Sequence, residues 1–538
     1  MYKKNIMDII KPNMNNVFTN IFDRVYIINL EDRIDRKIKM IHKFEEINTK
    51  YQFIKAIDTR NSSKELNDLI ERSDYRKIGE IGYKKTYQKI IFDAIEKKYD
   101  TIVCFDDDAI LCKEFHNKFN KKMKSIPNNW EILYLGASEW SKKDLDNFKG
   151  EYYYPTLEYD SVYGDGTCGS YAIAFKRSFL LKFANYLTKF DNAFDRILIN
   201  YIKEHAMKNV YVMYPNLVIA DITDSDIRPN YRSMKDHCKI VHWNLDNFEF
   251  PFSKERYGPI ITAAIITKNR SKLLKKCLNS IFLQKMIVNG LEKDFTDLEI
   301  CIINDGSTDD TEEMIKNYIK LNTTRKIVYK KTKGEGIPIA RNKVNQLASG
   351  VYIAVVDDDD IQLPFRLYNH IKSINMTYDN EIGSYGGWIN YDLRTKEMQV
   401  NPGRYRSFNT IAFIGSVLIH PATCYRKDII TKFIYNEMYP FNSDYDVAIR
   451  LAHEKKVMTH CEDYLIIRLI HGDNVSCFHN KEQLNYAKMS RDSLFALYTV
   501  DDIIRMMGEA IQEVINNPVT FDKEKNIKKD DIEKLIIC

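Results

Sequence analysis

Two apolar runs in this sequence end in bare carboxylates: TIVCFDDDAIL at residues 101–111 and VYIAVVDDDD at residues 351–360. Neighbouring unit charges about 4 Å apart repel by roughly 1 kcal/mol in water and about 4 kcal/mol near a protein surface. A chain that fixes three or four of them at a strand end needs a cation there, or full solvation. An isolated acidic run reads most simply as a solvated loop, but the strand-forming residues ahead of each run place it at a sheet edge. Carboxylate oxygens are ligands for Mg2+ and Mn2+, which keep open positions for substrate phosphates when only one or two protein carboxylates hold them.

The same pattern surrounds both runs. RVYIINL (24–30) reads as a strand, followed by a basic amphipathic helix to about residue 47, a strand YQFIKAID ending on Asp58, a helix over 82–98, and the first acidic strand. Past residue 258 the order repeats: ITAAIITKNR is a strand, LLKKCLNSIFLQ a helix, and DLEICIINDGSTDDT a strand that breaks at Asp305-Gly306. A helix, the segment GEGIPIARNKVNQLASG and the second acidic strand follow. Asp58 and Asp106 are 48 residues apart, and Asp305 and Asp357 are 52 apart. Alternating strands and helices predict a mostly parallel sheet with ligands at the carboxyl ends of its strands. The expected fold is therefore α/β, in two tandem copies. A length of 538 residues allows that many domains. Two prolines and a glycine interrupt the pattern in LDNFEFPFSKERYGP, which sets the expected organisation: an extension over 1–21, a first domain over 22–245, a linker over 246–258, a second domain over 259–484, and a charged helical region over 485–538 with no chemistry assigned.

Charge excludes one class of partner. With 80 basic and 75 acidic residues, the net +5 is spread too thinly for a nucleic-acid-binding face. No run of 18 apolar residues is present, the first residues carry no signal-peptide core, and the ten dispersed cysteines form no CxxC pair, so the expectation is a soluble, cytoplasmic protein. The absence of GxxxxGK[ST] sets aside phosphoryl transfer on a P-loop, and the absence of GxGxRxxPxT argues against a sugar-nucleotide pyrophosphorylase. A metal-held diphosphate beside a glycine-broken strand end points to a nucleotide ligand, and Asp305 in NDGS is suited to accept from a base N–H.

The second half, 258 to about 480, resembles the family 2 glycosyltransferases of GT-A fold through ITKNRSKLLKKCLNSIFLQ, IINDGSTDDT, GIPIARNKVNQLASGVYIAVVDDDDIQLP, NSDYDVAIRLA and IIRLIHGDNVS, in that order. The resemblance implies that Thr267 and Asp305 contact the nucleoside, that Asn269 belongs with them, that Arg341 and Asn342 line the nucleotide-sugar site, and that Asp357 and Asp359 form the DXD metal motif. It places the catalytic base at Asp444, where Ser443-Asp444 stands for the family's Glu-Asp; by position alone Asp444 reads equally as a helix N-cap. It brings His471 near the metal or diphosphate, against a plain loop histidine. The QxxRW motif and membrane helices of processive members are missing, which favours single-sugar addition.

The first half, roughly 22–245, is similar to the family 25 glycosyltransferases, which include lipooligosaccharide and procollagen galactosyltransferases. The match runs through VYIINLEDRIDRKIKM, AIDTR, GEIGYKKTYQKII, IVCFDDDAIL, WEILYLG, GTCGSYAIAFKRSFL, FDRIL and the SDI at 225–227. It implies that Asn29 and Arg33 approach the nucleotide, Asp58 the base, and Asp106 with Asp108 the metal, with Asp195 and Asp226 as candidates for acceptor activation. Two departures stand out. Asp106-Asp107-Asp108 replaces Glu-Asp-Asp, and Thr86-Tyr87 replaces Ser-His, a loss that alters donor choice or silences the site. Glu80 in GEIG is either a site residue or a helix cap. Together the resemblances imply two tandem GT-A domains with a helical C-terminal tail, metal-dependent (Mn2+ or Mg2+) inverting transfer from a UDP-sugar to a glycan or glycoprotein hydroxyl, and a bifunctional chain in glycan or lipopolysaccharide biosynthesis. The alternative is a catalytic second domain beside a silenced, scaffolding or glycan-binding first one.

Overall fold

The computed structural model describes residues 17–60, 68, 70–71, 78–140, 145–157, 159–160, 164–224, 233–253, 257–404, 406–415, 419–472, 479–516 and 528–537. The chain divides into two compact units, Met1–Arg256 with Asn375–Thr377, and Tyr257–Ile374 with Tyr378–Cys538.

The first unit is built on a seven-stranded sheet. Next to one edge runs the buried strand Arg24–Asn29, paired in parallel with the edge strand Gln52–Lys55 on one side and Thr101–Asp106 on the other. The register sets Ile28 beside Asp106 and Asn29 beside Lys55, so both strand ends open on one edge. Ala172–Lys176 then joins antiparallel to Thr101–Asp106, and Ile132–Tyr134, Val210–Met213 and Tyr152–Tyr153 complete the sheet. The strand expected to run to Asp58 stops at Lys55, because the Ile57 amide turns aside to donate to Thr86 Oγ1 at 2.9 Å. The helix expected over 82–98 spans Ile78–Glu96. Aromatic rings fill the core beneath it, among them Tyr87 stacked on Phe194 with ring centroids 3.8 Å apart.

The second unit carries a nine-stranded sheet. Four parallel strands, Lys326–Lys331, Leu298–Asn304, Ile261–Thr267 and Tyr352–Asp357, form one half, and the antiparallel strand Thr423–Arg426 leads into the long pair Glu381–Asp392 and Val457–Ile470. β-branched residues dominate the central strands, as burial on both faces requires. The chain leaves Leu298–Asn304 through Gly306 at φ +76°; a Cβ there would stand 2.7 Å from the Gly334 amide nitrogen, so only glycine lets the two loops approach. A hairpin that the periodicity did not suggest, Lys285–Val288 with Leu291–Asp294, turns through Asn289-Gly290 with both residues at positive φ.

Three helices, Asn480–Phe495, Val500–Asn516 and Lys529–Ile537, follow the sheet. The last of them is more than surface: Ile532 and Ile536 are buried in a cluster with Ile361, Ile389, Tyr391 and Ile467. Among the described residues no helix is long and apolar enough to cross a membrane.

Candidate functional site

In the second unit the parallel register sets Thr267 beside Asn304 and Ile266 beside Asp357, which gathers residues far apart in sequence at one edge. Ligand oxygens of Asp357, Asp359 and Asp360 converge there, all within 4.8 Å of one another. Asp360 is almost fully buried, and its Oδ2 meets no hydrogen-bond donor. Burial first, then the charges of Asp359 and Asp357, push its carboxyl well above the usual range. Three hard oxygen donors with an orphaned buried lone pair fit Mg2+ or Mn2+.

Basic side chains surround this cluster. Arg270 Nη1 lies 2.5 Å from Asp359 Oδ2 and 3.1 Å from Asp358 Oδ1. His471 Nε2 stands 3.1 Å from Asp359 Oδ2, and Arg341 Nη2 lies 2.5 Å from Asp357 Oδ1. Burial raises the Asp359 carboxyl, but His471 and Arg270 outweigh it and hold it below the usual value. Asp358 is treated differently: burial, reinforced by Asp359 and Asp357, lifts it to about 7 against the pull of Arg270 and Thr267.

That lift has a sign that can be measured. Because the folded carboxyl holds its proton more tightly than an unfolded one, Asp358 destabilises the fold above pH 7, and the cost fades as pH falls toward the ordinary carboxylate value near 4. The shift corresponds to a few kcal/mol, on the order of 4 at most. Asp358→Asn is therefore expected to raise the melting temperature of the metal-free chain by several degrees at pH 8 and by nothing near pH 4. A gain of equal size at both pH values would rule out relief of a buried charge.

Other residues named from the sequence shape the edge. Asp305 accepts from Thr332 Oγ1 (2.6 Å) and from the amides of Glu335 (2.8 Å) and Gly336 (2.9 Å), so both its oxygens hold the loop before the helix Ile337–Leu347. Asn269, at positive φ, ties two strand-end loops together: its amide donates to Ser307 Oγ (2.9 Å) and its Oδ1 accepts from the Thr308 amide (2.8 Å). Thr267 is buried beside Asp358. Asn342 exchanges bonds with the backbone of Tyr435, donating to its carbonyl (2.9 Å) and accepting from its amide (2.8 Å). The guanidinium of Arg341 lies 5.9 Å from the centre of the Tyr435 ring.

Asp444 belongs to the first turn of the helix Ser443–His453, whose N-cap is Asn442 rather than Asp444. Its carboxyl is raised by the surrounding protein, opposed by the Tyr445 amide and the Arg341 charge and reinforced by Asp357. The side chain itself is exposed to solvent. Arg341 thus lies within electrostatic reach of both Asp357 and Asp444. The next acid on the helix, Asp446, is occupied by Arg450 at 2.8 Å and Ser490 at 3.0 Å.

The corresponding edge of the first unit is wired another way. Asp107, the middle carboxylate, receives Asn29 Nδ2 and Arg36 Nη1, each at 2.8 Å. Arg36 also lies 3.7 Å from Asp108. Arg33 forks onto Asp35 at 3.1 and 3.0 Å. Asp58 pairs with Arg60 at 2.6 Å, and Arg60 reaches Asp32 at 2.7 Å. The Tyr83 hydroxyl lies 3.0 and 3.1 Å from the two oxygens of Asp106, and the charge of Asp195 is felt by both. Asp226 lies outside the described residues. Thr86 and Tyr87, which stand where the resemblance leads one to look for Ser-His, are core residues: Thr86 Oγ1 donates to the Gly82 carbonyl (2.7 Å) and Tyr87 to the Ser170 carbonyl (2.7 Å). Glu80 stands in the first turn of its helix, where a carboxylate complements the exposed N–H groups. Among the described residues, Asp106 and Asp108 join no third ligand of metal spacing.

Asp358, Asp360, Arg270, Arg36 and Tyr83 in these sites were not singled out from the sequence. For Arg36 a signal existed, since Arg36, Lys39 and Lys43 recur at i, i+3 and i+7 and line one cleft with Asp107, Asp108, Asp221 and Glu249.

Comparison with known proteins separates the halves in the same way. Residues 22–216 match the model of glycosyltransferase family 25 (LPS biosynthesis protein), and residues 262–433 match that of glycosyl transferase family 2. An uncharacterized glycosyltransferase of Methanocaldococcus jannaschii is 26% identical over 248 residues, which are 45% of this chain and 78% of that protein. A chondroitin synthase of Pasteurella multocida is 25% identical over 287 residues, 51% of this chain but only 27% of the synthase. Among solved structures, S. aureus TarS 1–349 in complex with UDP aligns with a TM-score of 0.35 at 13% identity, over 51% of this chain and 77% of that one.

Proposed function

We propose that this glycosyltransferase, with its family 25 match over residues 22–216 and its family 2 match over 262–433, moves hexoses from UDP-sugars to glycan or protein hydroxyls at two sites, by metal-dependent single displacement with inversion. The observation that carries the reading is the convergence of Asp357, Asp359 and Asp360 beside Arg341, with Asp444 within electrostatic reach of that arginine. A divalent ion held by those carboxylates would supply positive charge for the departing nucleoside diphosphate. The rest falls to the chain. Arg341 and Arg270 add cations at the same edge. Asp305 and Asn269 fix the loops against which a nucleoside lies. Asp444, raised yet open to solvent, takes the proton from the attacking hydroxyl.

A second reading, in which the first unit is a silenced scaffold or glycan-binding module, draws support from Asp107 being held by Arg36 and Asn29 and from the core placement of Thr86 and Tyr87. A panel of nucleotide-sugars with Mn2+, scored for release of nucleoside diphosphate by the intact chain, tests the class of reaction. UDP-hexoses are expected to be turned over and EDTA to abolish the release. Turnover that survives EDTA, or none with any donor, would overturn the reading.

A further inference from the structure

The helix Val500–Asn516 carries more apolar surface than its seat on the second unit covers. At the edge of the seated face Glu513 accepts from the Ser407 and Thr410 hydroxyls and the Ser407 amide, and Glu509 accepts from Asn409 at 2.6 Å. Met506 and Ala510 are its buried residues. On the far side Val500, Ile504, Met507, Ile511 and Ile515 are 46 to 72% exposed. At 3.6 residues per turn these five fall within an arc of about 80°. A helix of a soluble domain ordinarily turns such a stripe inward.

We propose that the stripe is the contact of an antiparallel homodimer, with two copies of the chain crossing at Gly508. Two observations select a second copy as the occupant. The stripe is palindromic: reversing the helix about its midpoint carries Val500 onto Ile515, Ile504 onto Ile511 and Met507 onto Gly508, so an identical helix running the other way meets apolar residues with apolar residues at every turn, as a two-fold contact requires. Gly508 is the second. An interior helical glycine costs about 1 kcal/mol relative to alanine, and a Cβ at Gly508 would meet nothing within 4 Å, so the single chain draws no benefit from it. At the centre of a crossing, the missing side chain is the seat for the partner's Met507.

The stripe offers roughly 500 Å2 per copy and roughly 1,000 Å2 in the pair, the lower end for a specific contact, so the association is reversible and in the micromolar range. A lipid surface is a poorer match. Membrane-surface helices carry Lys and Arg along the polar flank, whereas this helix has Asp501 and Asp502 with Arg505 there.

Sedimentation velocity of the full chain from about 0.5 to 50 µM tests the proposal. A concentration-dependent monomer–dimer equilibrium is expected. Ile504→Asp with Ile511→Asp should move its midpoint at least tenfold higher while leaving melting temperature and nucleoside diphosphate release unchanged. Gly508→Leu should weaken the dimer without lowering the melting temperature, which separates lost contact from lost folding. Under oxidation Met507→Cys should link to its own copy, and Val500→Cys should link only when Ile515→Cys is also present, read by mass spectrometry of the joined peptides. A monomer at every concentration, a dimer indifferent to the stripe variants, equal self-linking of Val500→Cys alone, or flotation with anionic vesicles in place of dimerisation would each overturn it.

Discussion

Asp444→Asn is expected to bind UDP and Mn2+ within about twofold of the unaltered chain and to lose transfer by roughly 100- to 10,000-fold, the usual worth of a positioned general base. The substitution preserves shape. It removes one negative charge from the neighbourhood of Arg341, which retains Asp357 at 2.5 Å as its partner, so the donor side of the site stays assembled. What disappears is the group that, in the proposed mechanism, accepts the acceptor's proton. Because the surrounding protein and the Asp357 charge hold the Asp444 carboxyl above its usual value, transfer by the unaltered chain should fall away as pH drops through that raised pKa, and the residual rate of the variant should lack this acid limb. Turnover near the unaltered level would dismiss Asp444 as the base. A parallel loss of UDP binding would recast it as a donor-site residue.

The elements that carry this site were legible because periodicity is a local property. Each apolar run ending in carboxylates became a central strand ending at a sheet edge, Thr101–Asp106 in one unit and Tyr352–Asp357 in the other. The partners of those carboxylates were not legible in the same way, because they are set by pairing across long stretches of chain. Arg270 follows one strand and meets Asp358 and Asp359 after another, 88 and 89 residues later. Asp360 was not named from the run of four; only the turn after Asp357 brings its carboxylate within metal spacing of Asp357 and Asp359, while Asp358 meets Arg270. Asp58 shows the opposite error. Its strand was extended through Ala56 and Ile57 by their hydrophobicity, but the Ile57 amide leaves the ladder for a threonine hydroxyl that no strand pattern announces. The Asn289-Gly290 hairpin was readable and went unread, since its second strand, LEKD, is fully exposed and lacks apolar alternation. For the C-terminal helices the charged sequence left packing and surface both open. Ile532 and Ile536 are core residues because two apolar side chains four apart suffice to dock one short helix.

Asp357→Asn combined with Asp359→Asn is expected to remove one equivalent of Mn2+ uptake in the presence of UDP and to lower the second unit's transfer by at least about a thousandfold, since in the proposed mechanism the charge that would stabilise the departing diphosphate goes with the ion. One equivalent should remain, and it should disappear when Asp106→Asn and Asp108→Asn are added. The reason lies in the charges of the first edge. Arg36 neutralises Asp107 and Asn29 donates to it, but among the described residues Asp106 receives a tyrosine hydroxyl proton in place of a cation, and Asp108 stands 3.7 Å from Arg36. Burial first, then Asp108, drive the Asp106 carboxyl well above the usual range. Two carboxylates that repel one another at a strand end match the one or two that a phosphate-clamping Mg2+ or Mn2+ ion takes from a protein. Calorimetry with UDP and Mn2+ therefore divides the two readings of the chain. Loss of all uptake on changing Asp357 and Asp359 alone would leave the first unit as a scaffold, its acidic run held by a proton on Asp106 in place of a metal.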